Sequence, residues 1–439
     1  MKGQPQEIEL DIESLQEDGL GVAKLDDRTY HVRNALPGER VLARLLRRRK
    51  GVSYADGVSI EGQPHARRVG SSCAYFPRCG GCSFHHLAYE AGLEKKQSLL
   101  QDALSNHGIV ADEFRAPVST GRLGYRRKAR LGVRKLGDNV LVGFRESFSN
   151  RVAKIDICQT LTPEISCLLK PLKQMLSELS IGDKVPQIEV AQGDNGVVLV
   201  IRHLLPLDGD DLQSVRAFER AHGIQILSQP GGYDTVATLD GGDVPLLDYA
   251  LPEFGLHFEF DPRQFTQVNA AMNRTLVSHA IGRLQVEKDQ TVADLFCGIG
   301  NFSLAIARQG ARVVGYEADS SAIARAQANS QRNGLAHRTE FHVQDLYKSP
   351  IDDLACHSML LDPPRSGAGE LLKTWVTATH DQLQRIVYVS CNPLSFASDA
   401  ALLSKLGYGL REVGVYDMFP QTAHVETLGV FVKRLPTHG

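Results

Sequence analysis

Cys391 closes the run Val387-Tyr388-Val389-Ser390-Cys391-Asn392-Pro393, in which apolar β-branched residues give way to a thiol and then to turn formers. The run reads as a strand, so the thiol stands at a strand's carboxyl end. In open α/β sheets ligands and catalytic groups gather along that edge, and a cysteine there points to a nucleophile. A cysteine in an apolar stretch can equally be inert core, because a free thiol packs as a small hydrophobe. A second set of thiols has a different pattern. Cys73-x5-Cys79-x2-Cys82, bordered by Gly80 and Gly81, has the short spacing of metal ligands and needs a fourth donor. His85 and His86 are spare ligand candidates, and spacing alone does not separate zinc from an iron–sulfur cluster.

The elements that must position these residues fall into three stretches, as expected for a chain of 439 residues. Residues 7 to about 60 alternate short β-type runs with Gly and Asp turns, which suits a small barrel, so 1–62 is read as an N-terminal domain. After the cysteine segment, Leu93, Leu99, Leu100, Ala103 and Leu104 form a helical stripe with Glu94, Lys95, Lys96 and Gln97 outside it. Residues 117–264 return to strands and turns, giving a mainly β central domain over 63–264, whose helix at about 85–116 is expected to pack on the last domain. From 265 the pattern is strand, helix, strand, the signature of a parallel sheet covered by helices.

Hydrophobic residues at 42% and charged residues at 23% are ordinary for a globular protein. No window approaches about 18 uninterrupted apolar residues, so no membrane span is expected. Met1 to Glu7 lacks the apolar core of a signal peptide, which places the chain in the reducing cytoplasm and its eight cysteines among thiols or metal ligands. Net charge is only -2, but the basic residues are clustered. Arg33 to Lys50 holds seven Lys or Arg against Glu39 alone, and Ser119 to Lys154 holds ten against Asp138 and Glu146, leaving -10 for everything outside that second stretch. Clusters of this kind neutralise phosphates, so nucleic acid is the expected partner, and Arg44 to Lys50 could line a groove for a single strand.

Thr291 to Phe296 reads as a strand, Cys297-Gly298-Ile299-Gly300 as a tight loop and Asn301 onward as a helix. A second strand ends on Glu317, nineteen residues after Gly298, where a carboxylate suits ribose hydroxyls. Further strands end near Asp345 and on Asp362-Pro363-Pro364-Arg365. The loop lacks the third glycine of a dinucleotide fingerprint and resembles the S-adenosylmethionine loop of class I methyltransferases. That resemblance implies a Rossmann-like α/β domain in which Phe296 and Asn301 line the methionine side, Glu317 holds the ribose and Asp345 lies near the adenine.

In such a fold a thiol on the fifth strand has a specific use. Carbon 5 of a pyrimidine is a poor nucleophile; adding a thiolate to carbon 6 makes it an enolate that can take a methyl group, after which a base removes the carbon 5 proton. Cys391 fits the first role and Glu426 of His424-Val425-Glu426-Thr427 the second, with His424 the competing base. Asp-Pro-Pro-Arg at 362–365, Ser-Cys-Asn-Pro at 390–393, His-x-Glu at 424–426 and Phe265-Thr266-Gln267-Val268-Asn269 together resemble the RNA uracil-5 methyltransferases over nearly the whole chain.

The resemblance implies that Cys391 is the nucleophile, Glu426 the proton acceptor, Gln267 a cofactor contact and Asp362 a cofactor or uracil contact. It likens residues 7–60 to the TRAM RNA-binding barrel, which is OB-like. It also makes Cys158, rather than Cys167, the fourth ligand beside Cys73, Cys79 and Cys82, around a [4Fe-4S] cluster. Four cysteines would close every iron, so a radical mechanism is not expected and the cluster would be structural, holding the 119–154 stretch against the barrel. Family members acting on transfer RNA typically lack barrel and cluster, so 23S ribosomal RNA is the expected substrate, bound by a monomer. A transfer-RNA or cytosine-5 enzyme and a noncatalytic RNA-binding factor are the alternatives.

Overall fold

The computed structural model describes residues 6–434 apart from 138, 350, 352 and 380. Residues 1–5, on which the reading of a leaderless start partly rests, lie outside the described residues. No described helix is long and apolar enough to cross a membrane.

Six strands between Glu7 and Ile60 form one sheet, ordered Glu7–Asp11, Arg40–Arg49, Val52–Ile60, Arg28–Arg33, Gly21–Leu25 and Ser14–Leu15. Alternation drives its formation: on Arg40–Arg49, Val41 and Ala43 are buried while Arg40 and Arg44 face out. With Leu10, Ala23, Tyr30, Val32 and Ala55 they make a core belonging to this unit alone. The basic strand runs to Arg49. Lys50 and Gly51, both at positive φ, turn the chain straight back into Val52–Ile60.

A second sheet of six strands holds the centre of the chain, with Val197–Arg202, buried along almost its whole length, between Gln187–Gln192 and Gln225–Gln229. Helices Leu169–Glu178 and Gly209–His222 add their apolar faces to the same core, elements that the alternation of short strands and turns does not announce. Asp208 caps the second helix by accepting from Asp211 N at 2.8 Å.

The third sheet carries the motifs. Its strands are β1 (Thr291–Leu295), β2 (Arg312–Glu317), β3 (Thr339–Val343), β4 (Ser358–Leu361), β5 (Arg385–Ser390), β6 (Tyr408–Tyr416) and β7 (Glu426–Lys433). They lie in the order β3-β2-β1-β4-β5-β7-β6, parallel throughout except for β7, which runs antiparallel to both its neighbours. The order reverses between β1 and β4, which opens a crevice at the carboxyl ends of these strands. A short strand, Glu113–Phe114, extends the sheet beyond β6.

Helix Tyr89–Asn106 packs on this third sheet rather than on the central one: Leu100, Ala103 and Leu104 share a core with Leu410 and Val413 of β6. Lys96, expected outside the apolar stripe, is instead 2% exposed. Its ammonium donates to Asp417 Oδ1 at 2.6 Å and to the Phe419 carbonyl at 3.0 Å, and Tyr89 Oη donates to Asp417 Oδ2 at 2.6 Å. The pair anchors the segment between β6 and β7, four of whose successive carbonyls are each held by a different part of the chain. Met418 O accepts from Asn269 Nδ2 at 3.5 Å, Phe419 O from Lys96, Pro420 O from Tyr125 Oη at 3.0 Å and Gln421 O from Ser83 N at 2.8 Å.

Removing one member of a buried pair leaves the other charge without compensation. Lys96→Met should therefore lower the unfolding free energy by about 3–5 kcal/mol in a urea titration. A loss below about 1 kcal/mol, the range of solvent-exposed pairs, would show that water reaches Asp417.

Candidate active site

β5 and β7 pair with Ser390 opposite Thr427. One step further along that register, Cys391 stands opposite Glu426, the first residue of β7. Opposed residues of an antiparallel pair point their side chains to one face with Cβ atoms about 4.5–5.5 Å apart. The strand reversal at β7 thus brings the thiol and the carboxylate together. Beyond Cys391, Asn392 caps helix Pro393–Lys405 by accepting from Leu394 N at 3.1 Å, and its Nδ2 donates to the Arg365 carbonyl at 2.9 Å. The turn after β5 is thereby tied to the Asp-Pro-Pro-Arg turn after β4.

The site is rich in buried acid. Glu426 is 3% exposed, and burial, then the charge of Asp362, raises its carboxyl well above the usual range. Asp362 is pushed up to about 7, by burial and then by Asp294. Asp294, one residue from the end of β1, is fully buried and also pushed up to about 7 by burial. It accepts from Ser303 Oγ at 2.5 Å on one oxygen, and the other has no protein partner among the described residues. Burial and then Glu426 and Asp362 hold the Cys391 thiol up at about 11, against which Arg365 pulls it down.

Arg365 also engages His424. Its Nη2 lies 3.0 Å from His424 Nδ1. A guanidinium only donates, so that nitrogen must accept, and the tautomer this assigns leaves the proton on Nε2. Burial and then Arg365 lower His424 to about 4. The imidazole is neutral with its Nδ1 lone pair engaged.

Cys391 opens on a cavity of about 270 Å³ lined by Arg365, Asn392, Leu394, Ala423 and His424, and also by Glu17 and Asp18 from the N-terminal sheet. That turn is held close by Gly19, at φ +86°, where a Cβ would come within 2.8 Å of the Phe84 ring. No pattern in the sequence points to Glu17 or Asp18.

On the other side of β4, the glycine loop begins with Phe296 at φ +68°, an uncommon conformation for an aromatic residue and a marker of a constrained functional turn. Its ring lies 5.7 Å from Tyr347 and 5.9 Å from Trp375, centroid to centroid. Gly298 is at φ +54° with open space where a side chain would be. Glu317, ending β2, receives Gly298 N at 3.3 Å and Ala318 N at 2.7 Å. Asp345 is half-buried, and Lys348, 2.8 Å away, holds its carboxyl below the usual range. Gln267 is half-buried with no side-chain hydrogen bond among the described residues. Asn301 is committed elsewhere: it exchanges hydrogen bonds with Asn273 at 2.9 and 3.1 Å and accepts from Tyr249 Oη at 2.9 Å. Asn273, Tyr249 and Asp294 are absent from the sequence-derived set. Only Asp294 carried a signal, as a carboxylate in the apolar run of β1.

Cys73, Cys79, Cys82 and Cys158 line one small cavity with Tyr75, Phe76 and Phe144, whereas Cys167 is exposed and does not line it. All four are unpaired thiols; burial, and then the charges of Cys158 and Cys73, push Cys79 up to about 11. Among the described residues, however, no three His, Cys, Asp or Glu side chains converge at metal-holding distances. His85 borders the cavity, and His86 is buried and stacked on Phe76. The second basic stretch is largely spent inside the protein. Arg127 pairs with Asp194, Arg130 with Glu189, and Lys128 and Lys135 donate to the carbonyls of Gln264 and Ser177. Arg126 and Arg145 likewise donate to carbonyls, which leaves Arg122, Arg134, Arg151 and Lys154 with neither an ion pair nor a side-chain hydrogen bond among the described residues.

The family model described as tRNA (Uracil-5-)-methyltransferase matches residues 88–435. Relatives named 23S rRNA (uracil(1939)-C(5))-methyltransferase RlmD are similar from end to end: that of Thiobacillus denitrificans is 43% identical, over 97% of this chain and 99% of its own, and that of Hahella chejuensis 44% identical, over 98% of both. The crystal structure of Pyrococcus abyssi tRNA (uracil-54, C5)-methyltransferase in complex with S-adenosyl-L-homocysteine has the same fold, with a TM-score of 0.73 over 97% of this chain and all of that one, at 24% identity. An eight-stranded sheet with a reversed strand, a thiol and a buried carboxylate gathered at its carboxyl edge, and these matches agree: the chain belongs to the tRNA (uracil-5-)-methyltransferase family.

Proposed function

We propose that the protein methylates carbon 5 of a specific uracil in 23S ribosomal RNA, with S-adenosylmethionine as cofactor. The observation that carries the chemistry is the placement of Cys391 opposite Glu426 beside Asp362, at the carboxyl edge of the sheet. The cofactor supplies an electrophilic methyl group. Open space at Gly298, the unpaired amide of Gln267 and the carboxylates of Glu317 and Asp345 fit its hydroxyl, amine and adenine groups, and Phe296 and Asp362 would complete the site. Asn301 would shape that pocket through Asn273 and Tyr249.

The chain's own residues account for the remaining steps. The Cys391 thiolate adds to carbon 6, and the electron pair displaced from the double bond makes carbon 5 the nucleophile that takes the methyl group. Glu426 then removes the carbon 5 proton, and the electrons of that C–H bond re-form the double bond as the thiolate leaves. Burial suits Glu426 to this task, because it raises the affinity of the carboxylate for a proton. The base must be unstacked to enter the cavity, since carbon 6 is shielded inside a stacked helix.

The 23S substrate is supported by the identity shared with the RlmD relatives along the full length of both chains. The N-terminal sheet does not discriminate: the Pyrococcus transfer-RNA enzyme matches the fold over nearly the whole chain, so the expectation that such a sheet marks ribosomal enzymes is withdrawn. The reading of this sheet as a TRAM barrel that binds RNA is supported by its basic strand. For the four cysteines we read a [4Fe-4S] cluster with Cys158 as fourth ligand. The reading is supported by the four cysteines lining one cavity.

Methyl transfer to unmodified 23S RNA should yield 5-methyluridine on nucleoside digestion; label in transfer RNA instead would overturn the substrate. Glu426→Gln should accumulate a denaturant-resistant RNA adduct that Cys391→Ala cannot form, and equal behaviour of the two variants would sink the mechanism. Because Glu426, ionised at alkaline pH, raises the Cys391 thiol, Glu426→Gln should also shift the pH profile of Cys391 alkylation below its parent midpoint of about 11. Protein purified without oxygen should carry four irons per chain, and zinc at one equivalent would replace the cluster reading.

A further inference from the structure

The basic strand Arg40–Arg49 is divided in two. In its first half, Arg40 pairs with Asp11 at 2.9 Å and Arg44 with Glu7 at 3.0 Å across the neighbouring strand. In its second half, Arg47, Arg48 and Arg49, followed by Lys50, are exposed and form no ion pair among the described residues. The charge left available to a polyanion is concentrated at one end of one strand.

Aromatic rings from two domains meet at that end. His31 and Tyr54 stand edge to face at 5.5 Å between centroids, and Tyr54 lies 4.7 Å from Phe148, which belongs to the loop after Asn139–Gly143 in the central domain. All three rings are half-exposed. The Arg47 guanidinium lies 5.3 Å over Tyr54 and 5.6 Å from Phe148. Beneath them Arg33, 7% exposed, is fixed by Asp56 and the Pro77 carbonyl and lies 5.6 Å from the Phe148 ring. Phe148 itself sits at φ +59°. A bulky side chain in that conformation is strained, and the strain is sustained by what surrounds it. These rings could simply latch one domain to the other, but a latch needs neither half-exposed faces nor four unpaired cations beside it.

We infer that Tyr54, Phe148 and Arg47 form a stacking platform for unpaired bases of the substrate RNA, outside the cavity that receives the target uracil. Arg48, Arg49 and Lys50 hold the adjoining phosphates. Every base has a π face, so the platform is tolerant of sequence and selects instead for unpaired nucleotides, a property charge alone does not give. The inference rests on the RNA substrate proposed above.

The test uses the full-length protein, the unmodified 23S segment as single-stranded RNA, and a duplex of equal length. Stacking and charge differ in their response to salt. Tyr54→Leu should weaken single-strand binding by about 10- to 100-fold with an unchanged slope of affinity against salt. The double variant Arg48→Gln, Arg49→Gln should flatten that slope by about one to two. Phe148→Leu should act like Tyr54→Leu, which guards against one variant misfolding. The platform is overturned if Tyr54→Leu binds like the parent, or if it loses affinity equally for single strand and duplex, the outcome expected of a structural latch. Either result together with normal methyl transfer by the parent leaves the enzymatic reading standing; a parent protein that neither methylates nor binds the RNA removes both.

Discussion

The segment between β6 and β7 has no secondary structure of its own, yet it fixes where Glu426 begins its strand. Lys96 and Asp417 are the constraint on which that depends, a charge pair with both side chains at most 2% exposed. A buried pair of this kind is expensive to desolvate and contributes little net stability compared with an apolar replacement. What it supplies is definition, because neither charge tolerates another arrangement. Around it, the carbonyls from Met418 to Gln421 are divided among the entry to the third domain, the Tyr89–Asn106 helix, the segment before the central sheet and the end of the cysteine segment. A shift in any of these four would move Glu426 relative to Cys391. The reaction described above demands a single geometry for two groups on opposite strands, and the domains outside the catalytic sheet help to enforce it.

The electrostatics of the site carry a cost of their own. Asp294, Asp362 and Glu426 are drawn into one buried region, where burial raises the affinity of each for protons, and Asp294 adds to the effect on Asp362 and Asp362 to that on Glu426. Burial, and then the charges of Glu426 and Asp362, keep Cys391 in its protonated, unreactive form. A resting thiol at about 11 is protected from oxidation and from indiscriminate alkylation, since the thiolate is the reactive species. Reactivity then requires a change in the local field. Arg365 is the cation on the Cys391 side, and it is already shared with His424, so further positive charge has to arrive with what the site binds.

Much of this was legible because the motifs sit at strand ends, where sequence alternation and turn formers are clearest. The order of β1 to β5 and the location of Cys391, Glu317, Asp345 and Asp362 at carboxyl ends follow from runs of apolar residues that stop on polar ones. The pairing of Cys391 with Glu426 does not, because the reversal of β7 is a matter of topology. Lys96 reads as solvent-facing in any helical projection, and its partner is 321 residues away. Likewise the density of arginine between Ser119 and Lys154 suggests a binding surface, but Asp194, Glu189 and the carbonyls that absorb it come from other strands. Charge counted along a chain overstates the charge available on the surface wherever a sheet brings acids across from elsewhere.

The same excess of acid explains why binding and chemistry occupy different places. A phosphate backbone is repelled by Glu17 and Asp18 at the border of the cavity, but a uracil ring carries no charge and is not. The backbone is better held where cations are unpaired, at the end of the Arg40–Arg49 strand, and a base displaced from its stack can then enter the acidic cavity by itself. The N-terminal sheet belongs to both regions, since its Glu17 turn walls the cavity and its basic strand lies open to solvent. A nearly neutral protein can in this way handle a polyanion: it separates its charges so that the phosphates and the reacting base meet opposite fields.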